Sequence, residues 1–193
     1  YGIIAFKKGQ NEVSRKYLSA VPKESSFYRK SQYALGVMNA LDGKNEKAIE
    51  SFKLASTRPG EVSVGRVNLE ARLAVARTFY QAERYKEAAG AFRAVFRDTE
   101  LWSTSLFENA WALYKAQDVP SSLGNLHSTE APFFETNYFN PEIKVLESIA
   151  YYRLCHFREA EQAVNEFFSE FGPIQAKLKA FQRGAKKRSF AQT

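Results

Sequence analysis

The stretch Ser31 to Pro59, SQYALGVMNALDGKNEKAIESFKLASTRP, decides the reading of the whole chain. Tyr33, Leu35, Ala40 and Leu41 recur at roughly helical spacing, Asp42-Gly43-Lys44-Asn45 interrupts them with turn residues, and Ala48, Ile49, Phe52 and Ala55 resume the pattern. This predicts two short helices joined by a tight turn. Gly43 falls where a helix end most often needs a left-handed residue. Gly36 falls mid-helix, where glycine costs ~1 kcal/mol against alanine. With small Ala48 and Ala55 opposite, it predicts two backbones in close approach and Phe52 filling the space beyond. Pro59 biases the preceding residue away from helix and ends the element.

Looser copies of the same stretch run along the chain. Aligned on the small residue of the first helix, they place Gly2, Gly36, Ala76, Ala110 and Ser148 in register, with separations of 34, 40, 34 and 38. Twelve residues later stand Ser14, Ala48, Ala88, Ser122 and Ala160, and four beyond those Leu18, Phe52, Phe92, Leu126 and Val164. Three linked positions thus repeat five times at a basic period of 34, the signature of an array rather than of one compact core.

A period of 34 carrying L-G-x2-Y, then A-x3-F, then P, resembles the tetratricopeptide repeat. The match rests on Leu35-Gly36, Ala48, Phe52, Ala55 and Pro59, and again on Ala76, Phe79, Tyr85, Ala88 and Phe92. It loosens in the fourth unit, where Asn109 and Ser122 replace leucine and alanine, and in the fifth, where Glu147 takes the leucine position. The resemblance implies an all-α, right-handed superhelical solenoid of antiparallel helix pairs. Its units would span about 1–22, 29–59, 69–98, 103–130 and 141–173, with 174–193 a basic capping helix and tail. Insertions at Gly60 to Arg66 and Ala131 to Asn140 separate the units, the second with four aromatics that would fold back over the fourth unit. Pro173 is expected to end the last helix. Asn109 and Glu147, polar at adjacent leucine positions, are expected to form a buried hydrogen-bonded pair.

Charge is unevenly placed. Lys177, Lys179, Arg183, Lys186, Lys187 and Arg188 supply six of the formal net charge of +7, with no acid between Gly172 and Thr193. Ile174, Leu178 and Phe181 fall at helical spacing, so the first half of this tail is expected to cap the last repeat. No apolar run reaches the roughly 18 residues of a membrane span, and the opening Tyr1-Gly2-Ile3-Ile4-Ala5-Phe6 reads as mid-helix, as in a fragment of a longer protein. The single cysteine, Cys155, rules out an internal disulfide and a cysteine zinc cage. The compartment stays open.

Catalysis finds no constellation. The only histidines, His127 and His156, lack a patterned serine, cysteine or carboxylate partner, and there is neither a P-loop nor a GxGxxG. No cofactor is expected. The resemblance instead implies a concave groove lined by the first helix of each unit, at repeat positions that carry Tyr33, Arg77, Tyr80, Phe107, Trp111, Tyr114, Lys115, Ile149, Tyr152 and Arg153. Aromatic rings with arginines are the residues that dominate binding energy at interfaces. The carboxylate clamp found in some members of the family is missing, because Tyr33, Val37, Ala74, Thr104 and Glu108 stand where basic or amide side chains would be needed. The leading expectation is therefore a non-enzymatic scaffold for an apolar, partly acidic protein segment. Binding of an anionic surface or nucleic acid by Lys186, Lys187 and Arg188 comes second, and self-assembly through open repeat ends third. FENAWALYK and YYRLCHFREA vaguely resemble bacterial repeat proteins of envelope or motility machineries.

The repeat assignment predicts that Phe52→Ala or Phe92→Ala lowers stability by ~3 to 5 kcal/mol, and that Ala48→Leu or Ala88→Leu lowers it by ~1 to 3 kcal/mol through overpacking. Urea denaturation measures both, and neutral substitutions would contradict the assignment.

Overall fold

The structure, a computed structural model, describes residues 1–56, 65–97, 99–131, 134 and 140–190, with side chains described as far as residue 183. These residues form ten helices and no strand, in two compact units, Tyr1–Thr129 and Glu130–Thr193. The first unit holds α1 (Gly2–Lys7), α2 (Asn11–Ser19), α3 (Tyr28–Leu41), α4 (Asn45–Ser56), α5 (Arg66–Gln81), α6 (Tyr85–Arg93), α7 (Trp102–Lys115) and α8 (Val119–Thr129). The second holds α9 (Glu142–Arg153) and α10 (Phe157–Phe190). Each odd-numbered helix pairs with its successor, and within the first unit α2 packs on α3, α4 on α5 and α6 on α7.

One turn geometry recurs in all five pairs. Gly9, Gly43, Glu83, Gln117 and Cys155 have φ of +74°, +72°, +59°, +71° and +60°, and they are spaced as the repeats are. Around Gly43, its N–H donates to the Ala40 carbonyl at 3.0 Å and the Lys44 N–H to the Asn39 carbonyl at 2.9 Å. This pair of closing bonds is the Schellman arrangement. The same two bonds join Glu83 to Tyr80 and Arg84 to Phe79, Gln117 to Tyr114 and Asp118 to Leu113, and Cys155 to Tyr152 and His156 to Tyr151. The residue after the left-handed one then starts the next helix: the carbonyls of Lys44, Arg84, Asp118 and His156 accept from Ala48, Ala88, Ser122 and Ala160. A backbone motif of two residues therefore ends one helix and begins its partner.

The small positions of the first four pairs are buried. Ala76, Ala110, Ala48, Ala88, Ser14 and Ser122 are wholly buried. A Cβ on Gly36 would stand 2.6 Å from Cδ1 and Cε1 of Phe52, and one on Gly2 would stand 2.8 Å from Cγ of Leu18. It is thus the ring of Phe52 itself, more than Ala48 or Ala55, that needs the glycine. In the fourth pair the Ser122 hydroxyl donates to the Ala110 carbonyl at 2.7 Å, so a polar residue sits at the tightest helix contact without an unsatisfied group. A buried cluster joins α5, α6 and α7 through Leu73, Ala76, Ala89, Phe92, Ala112 and Leu113.

The second unit departs from expectation. Pro173 does not end the last helix but lies inside α10. The segment after it, with Gln175, Ala176, Lys177, Leu178, Lys179 and Ala180, consists of good helix formers, so the helix resumes beyond the one bond that proline cannot donate. Nor do Ile174, Leu178 and Phe181 close over the last pair: they are 38%, 57% and 76% exposed. The twelve residues of α9 are too few to accompany the 34 of α10. Val164, expected inside, is 40% exposed, and Ala163 is buried in its stead. Pro59, most of the first insertion (60–64) and most of the aromatic loop (132, 133 and 135–139) lie outside the described residues.

Glu83 carries a Cβ in a conformation that costs ~1 to 2 kcal/mol for an L-residue, partly offset by the entropy that glycine loses on folding. Glu83→Gly is expected to raise stability by ~0.5 to 1 kcal/mol in urea denaturation, and Gly43→Ala to lower it.

Candidate functional site

Helices α5 and α7 frame a cleft on the first unit. Arg77, Tyr80, Glu108, Trp111 and Lys115, over the ring of Phe92, bound a cleft of about 470 Å³. Arg77 follows the buried Ala76 and Trp111 follows the buried Ala110, so the contacts that lock α5 and α7 into their pairs also turn these two residues outward. Tyr80 lies one turn beyond Arg77, and Lys115 one turn beyond Trp111.

The cleft contains its own ion pair. Nε of Arg77 donates to Oε2 of Glu108 at 2.7 Å, and its NH2 donates to Oε1 in the same fork. Such two-pronged pairing fixes both side chains in one plane. The Arg77 side chain is 54% exposed and that of Glu108 23%, so the pair stabilises the unit only modestly. Its effect is to hold a flat polar wall beside an apolar one. Among the described residues no carboxylate pairs with the Lys115 ammonium. The edge of Tyr114 meets Trp111 at 6.3 Å and 84°, and Tyr80 meets Tyr85 at 5.3 Å. Burial, and next the nearby Tyr85, raise the Tyr80 hydroxyl pKa, so the phenol stays protonated and can donate.

The expected groove residues fare differently. Arg77, Tyr80, Trp111 and Lys115 come together in this cleft, and half-buried Tyr114 supports Trp111. Tyr33 packs on Phe52 with ring centres 5.5 Å apart, in a cluster with Ala48, Ile49 and Val75. Its pKa is raised by burial and by Glu70, against the influence of Arg77. Phe107 is buried at 8% exposure and serves as packing. In the second unit Ile149, Tyr152 and Arg153 are exposed, Tyr152 with its ring against Phe157 at 5.5 Å. The side chains of Lys186, Lys187 and Arg188 lie outside the described residues. Glu108 stands among the positions of the family's carboxylate clamp but not among the expected binding residues; its place in the cleft comes from its pairing with Arg77 on the neighbouring unit's first helix.

A second polar cluster lies in the other unit. Lys144 reaches Glu130 at 2.7 Å, Glu166 at 2.9 Å and Glu147 at 3.0 Å. Burial works against its ammonium, but the bonds to Glu130, Glu166 and Glu147 outweigh that cost and hold its pKa above the ordinary lysine value. Glu166 is held below the usual carboxylate range by Gln162 first and by Lys144 next. The buried Glu147 is therefore neutralised by a lysine three residues away. Where a hydrogen-bonded pair with Asn109 was expected, Glu147 accepts from Lys144, and Asn109 Oδ1 is buried and accepts no hydrogen bond. Among the described residues no group of three histidine, cysteine or acidic side chains could hold a metal ion, and no helix is long and apolar enough to cross a membrane. His156 stacks on Tyr151 at 6.3 Å and His127 is exposed on α8.

No family profile matches the sequence, and no curated protein does. Solved structures do match in fold. A crystal structure of MamA is 16% identical with a TM-score of 0.70, over 91% of this chain and 96% of that one. MamA from Desulfovibrio magneticus RS-1 is 13% identical with a TM-score of 0.68, over 87% and 89%. BtubC (BKLC) from P. vanneervenii is 15% identical with a TM-score of 0.69, over 92% and 78%. The fold is thus all-α and tetratricopeptide-like, a solenoid type built of antiparallel helix pairs.

Lys144→Met leaves a buried glutamate and two neighbours without their cation, and is expected to lower stability by ~1.5 to 3 kcal/mol at pH 7. In the wild type the contribution of Glu166 is present above its unfolded pKa and is lost as pH falls through its lower folded value. That of Lys144 is complete below its unfolded pKa and is lost only as pH rises through its higher folded value. In the variant Glu166 lacks the lysine that helps to hold its pKa down and takes up its proton more readily, so the deficit should shrink as pH falls from 7 towards 4. Thermal melts across that range test this, and a constant deficit would refute the charge assignment.

Proposed function

We propose that this chain is a non-enzymatic scaffold that holds an extended or helical segment of a partner protein in the cleft between α5 and α7. The observation that carries the reading is the cleft itself: a half-buried tryptophan and tyrosine beside an internally paired arginine, opening from the first helices of adjacent repeats. Stacked repeats of this kind characteristically offer such a surface, because each unit contacts only its neighbours and leaves its first-helix face uncovered. Large aromatic side chains in partly enclosed pockets supply most of the binding energy at protein interfaces. Tyr33 on α3 extends the same aromatic character within the first unit, and Ile149, Tyr152 and Arg153 give the second unit an apolar and basic surface of its own.

The chemistry of the walls defines the partner. With Arg77 already bound to Glu108, Lys115 is the cation left to meet an acidic group, so the favoured segment has a bulky apolar residue with one carboxylate near it. A strongly acidic segment would meet Glu108 and be repelled.

Selection of random displayed peptides on the wild-type chain tests the reading. The selected peptides should share a large apolar residue flanked by a single acid, and Trp111→Ala should weaken them by about thirtyfold or more, the loss of a binding hot spot. Circular dichroism should show the variant folded. Peptides whose affinity is indifferent to Trp111→Ala and to Tyr80→Ala would place the binding surface elsewhere and overturn the proposal.

A further inference from the structure

We infer that the projecting part of α10 is a docking rail for an acidic amphipathic helix of a partner protein, a surface separate from the α5/α7 cleft. Along α10 the apolar residues Phe167, Phe171, Ile174, Leu178 and Phe181 follow one another at spacings of 4, 3, 4 and 3. This is the heptad seam of helix pairing. Its upper end is engaged within the unit: Ala160 and Ala163 are buried where α10 packs on α9, and the half-buried rings of Phe167 and Phe171 lie 5.3 Å apart. Past residue 173 the seam continues uncovered, with Phe181 at 76% exposure. The seam stays regular across Pro173, so the helix keeps its apolar register beyond the point where α9 can cover it.

Width and charge select the occupant. At 100° per residue the five seam residues fall within an arc of about 80°. That is the narrow stripe of helix–helix pairing and falls short of the apolar face of about 100° or more on a helix laid against a broad surface. Lys177 borders one side of the stripe, Gln175 and Gln182 border the other, and Lys179 and Arg183 stand behind it, all exposed. From Gly172 onward the sequence has six basic residues and no acid. A second copy of this segment would bring cations against cations, so self-pairing here is opposed by its own charge. A helix with an apolar seam and glutamates or aspartates along its flanks satisfies both the stripe and the lysines.

The test uses the whole chain and two designed four-heptad peptides with leucine at the seam positions. One has glutamate at every flanking position, which keeps it from self-association at neutral pH, and the other has lysine there. Fluorescence anisotropy should show binding of the glutamate peptide that weakens with salt. Affinity should fall about tenfold or more for Phe181→Glu, a change at an exposed residue that leaves the fold intact, and should be unaltered for Trp111→Ala. Equal binding of the lysine peptide would reduce the rail to indiscriminate apolar contact and overturn the proposal. So would binding to phosphatidylserine-containing vesicles without binding to the glutamate peptide, which would make the occupant a lipid surface. A concentration-dependent mass in light scattering that Phe181→Glu abolishes would make it a second copy, and would overturn the proposal too.

Discussion

The left-handed residue between paired helices is the constraint on which the rest depends. At each of the five turns one residue with positive φ reverses the chain, two backbone bonds close the first helix, and the next residue's carbonyl opens the second. No side-chain cap assists at the N-termini of α2 or α6, so the angle between partners is set by the backbone. Because this hinge is the same length every time, residue positions on the two helices face each other in a fixed register. The small residue twelve positions later in sequence therefore arrives in the same register each time, as Ser122 does against Ala110.

From that register the packing follows, with more than one chemical solution. Glycine at position 36 admits the flat ring of Phe52, while alanine at 110 faces a serine whose hydroxyl is absorbed by the alanine's own carbonyl. Both keep the helix axes close and bury no unsatisfied group. The close contact in turn directs the following residue of each first helix, Arg77 or Trp111, away from the core. The aromatic cleft is thus a by-product of the same geometry that makes the fold.

What could be read from the sequence was whatever the register repeats. The period, the small positions of the first four pairs and the membership of Arg77, Tyr80, Trp111 and Lys115 in one face all follow from it, because the identity of a small or aromatic residue at a fixed position has one structural meaning. Interactions that do not repeat were hidden. Glu83, Gln117 and Cys155 adopt the left-handed conformation although none is glycine, since the surrounding closing bonds hold a residue of any kind there. Phe107 occupies a groove position of the family pattern, yet its ring is buried. Pro173 reads as a stop, but one lost hydrogen bond does not outweigh the helix formers beyond it. Lys144 and its three carboxylates come from α9, α10 and the residue after α8, and no spacing announces such a meeting.

The two units deal with polar groups in opposite ways, and this bears on where specificity resides. In the second unit Lys144 draws its carboxylates together at 15% exposure, a knot that fixes α9 against α10 and leaves little for a ligand. In the first unit the Arg77–Glu108 pair sits at the cleft mouth, its arginine more than half exposed. For the scaffold role proposed above, a pair made in advance would not have to be assembled when a partner arrives, so less ordering would be required on binding. It would also remove from the cleft the positive charge that attracts any acidic segment. Discrimination in that role would fall to the shape of Trp111 and Tyr80 and to the ammonium of Lys115, a combination that rewards one bulky side chain in one position over charge in general.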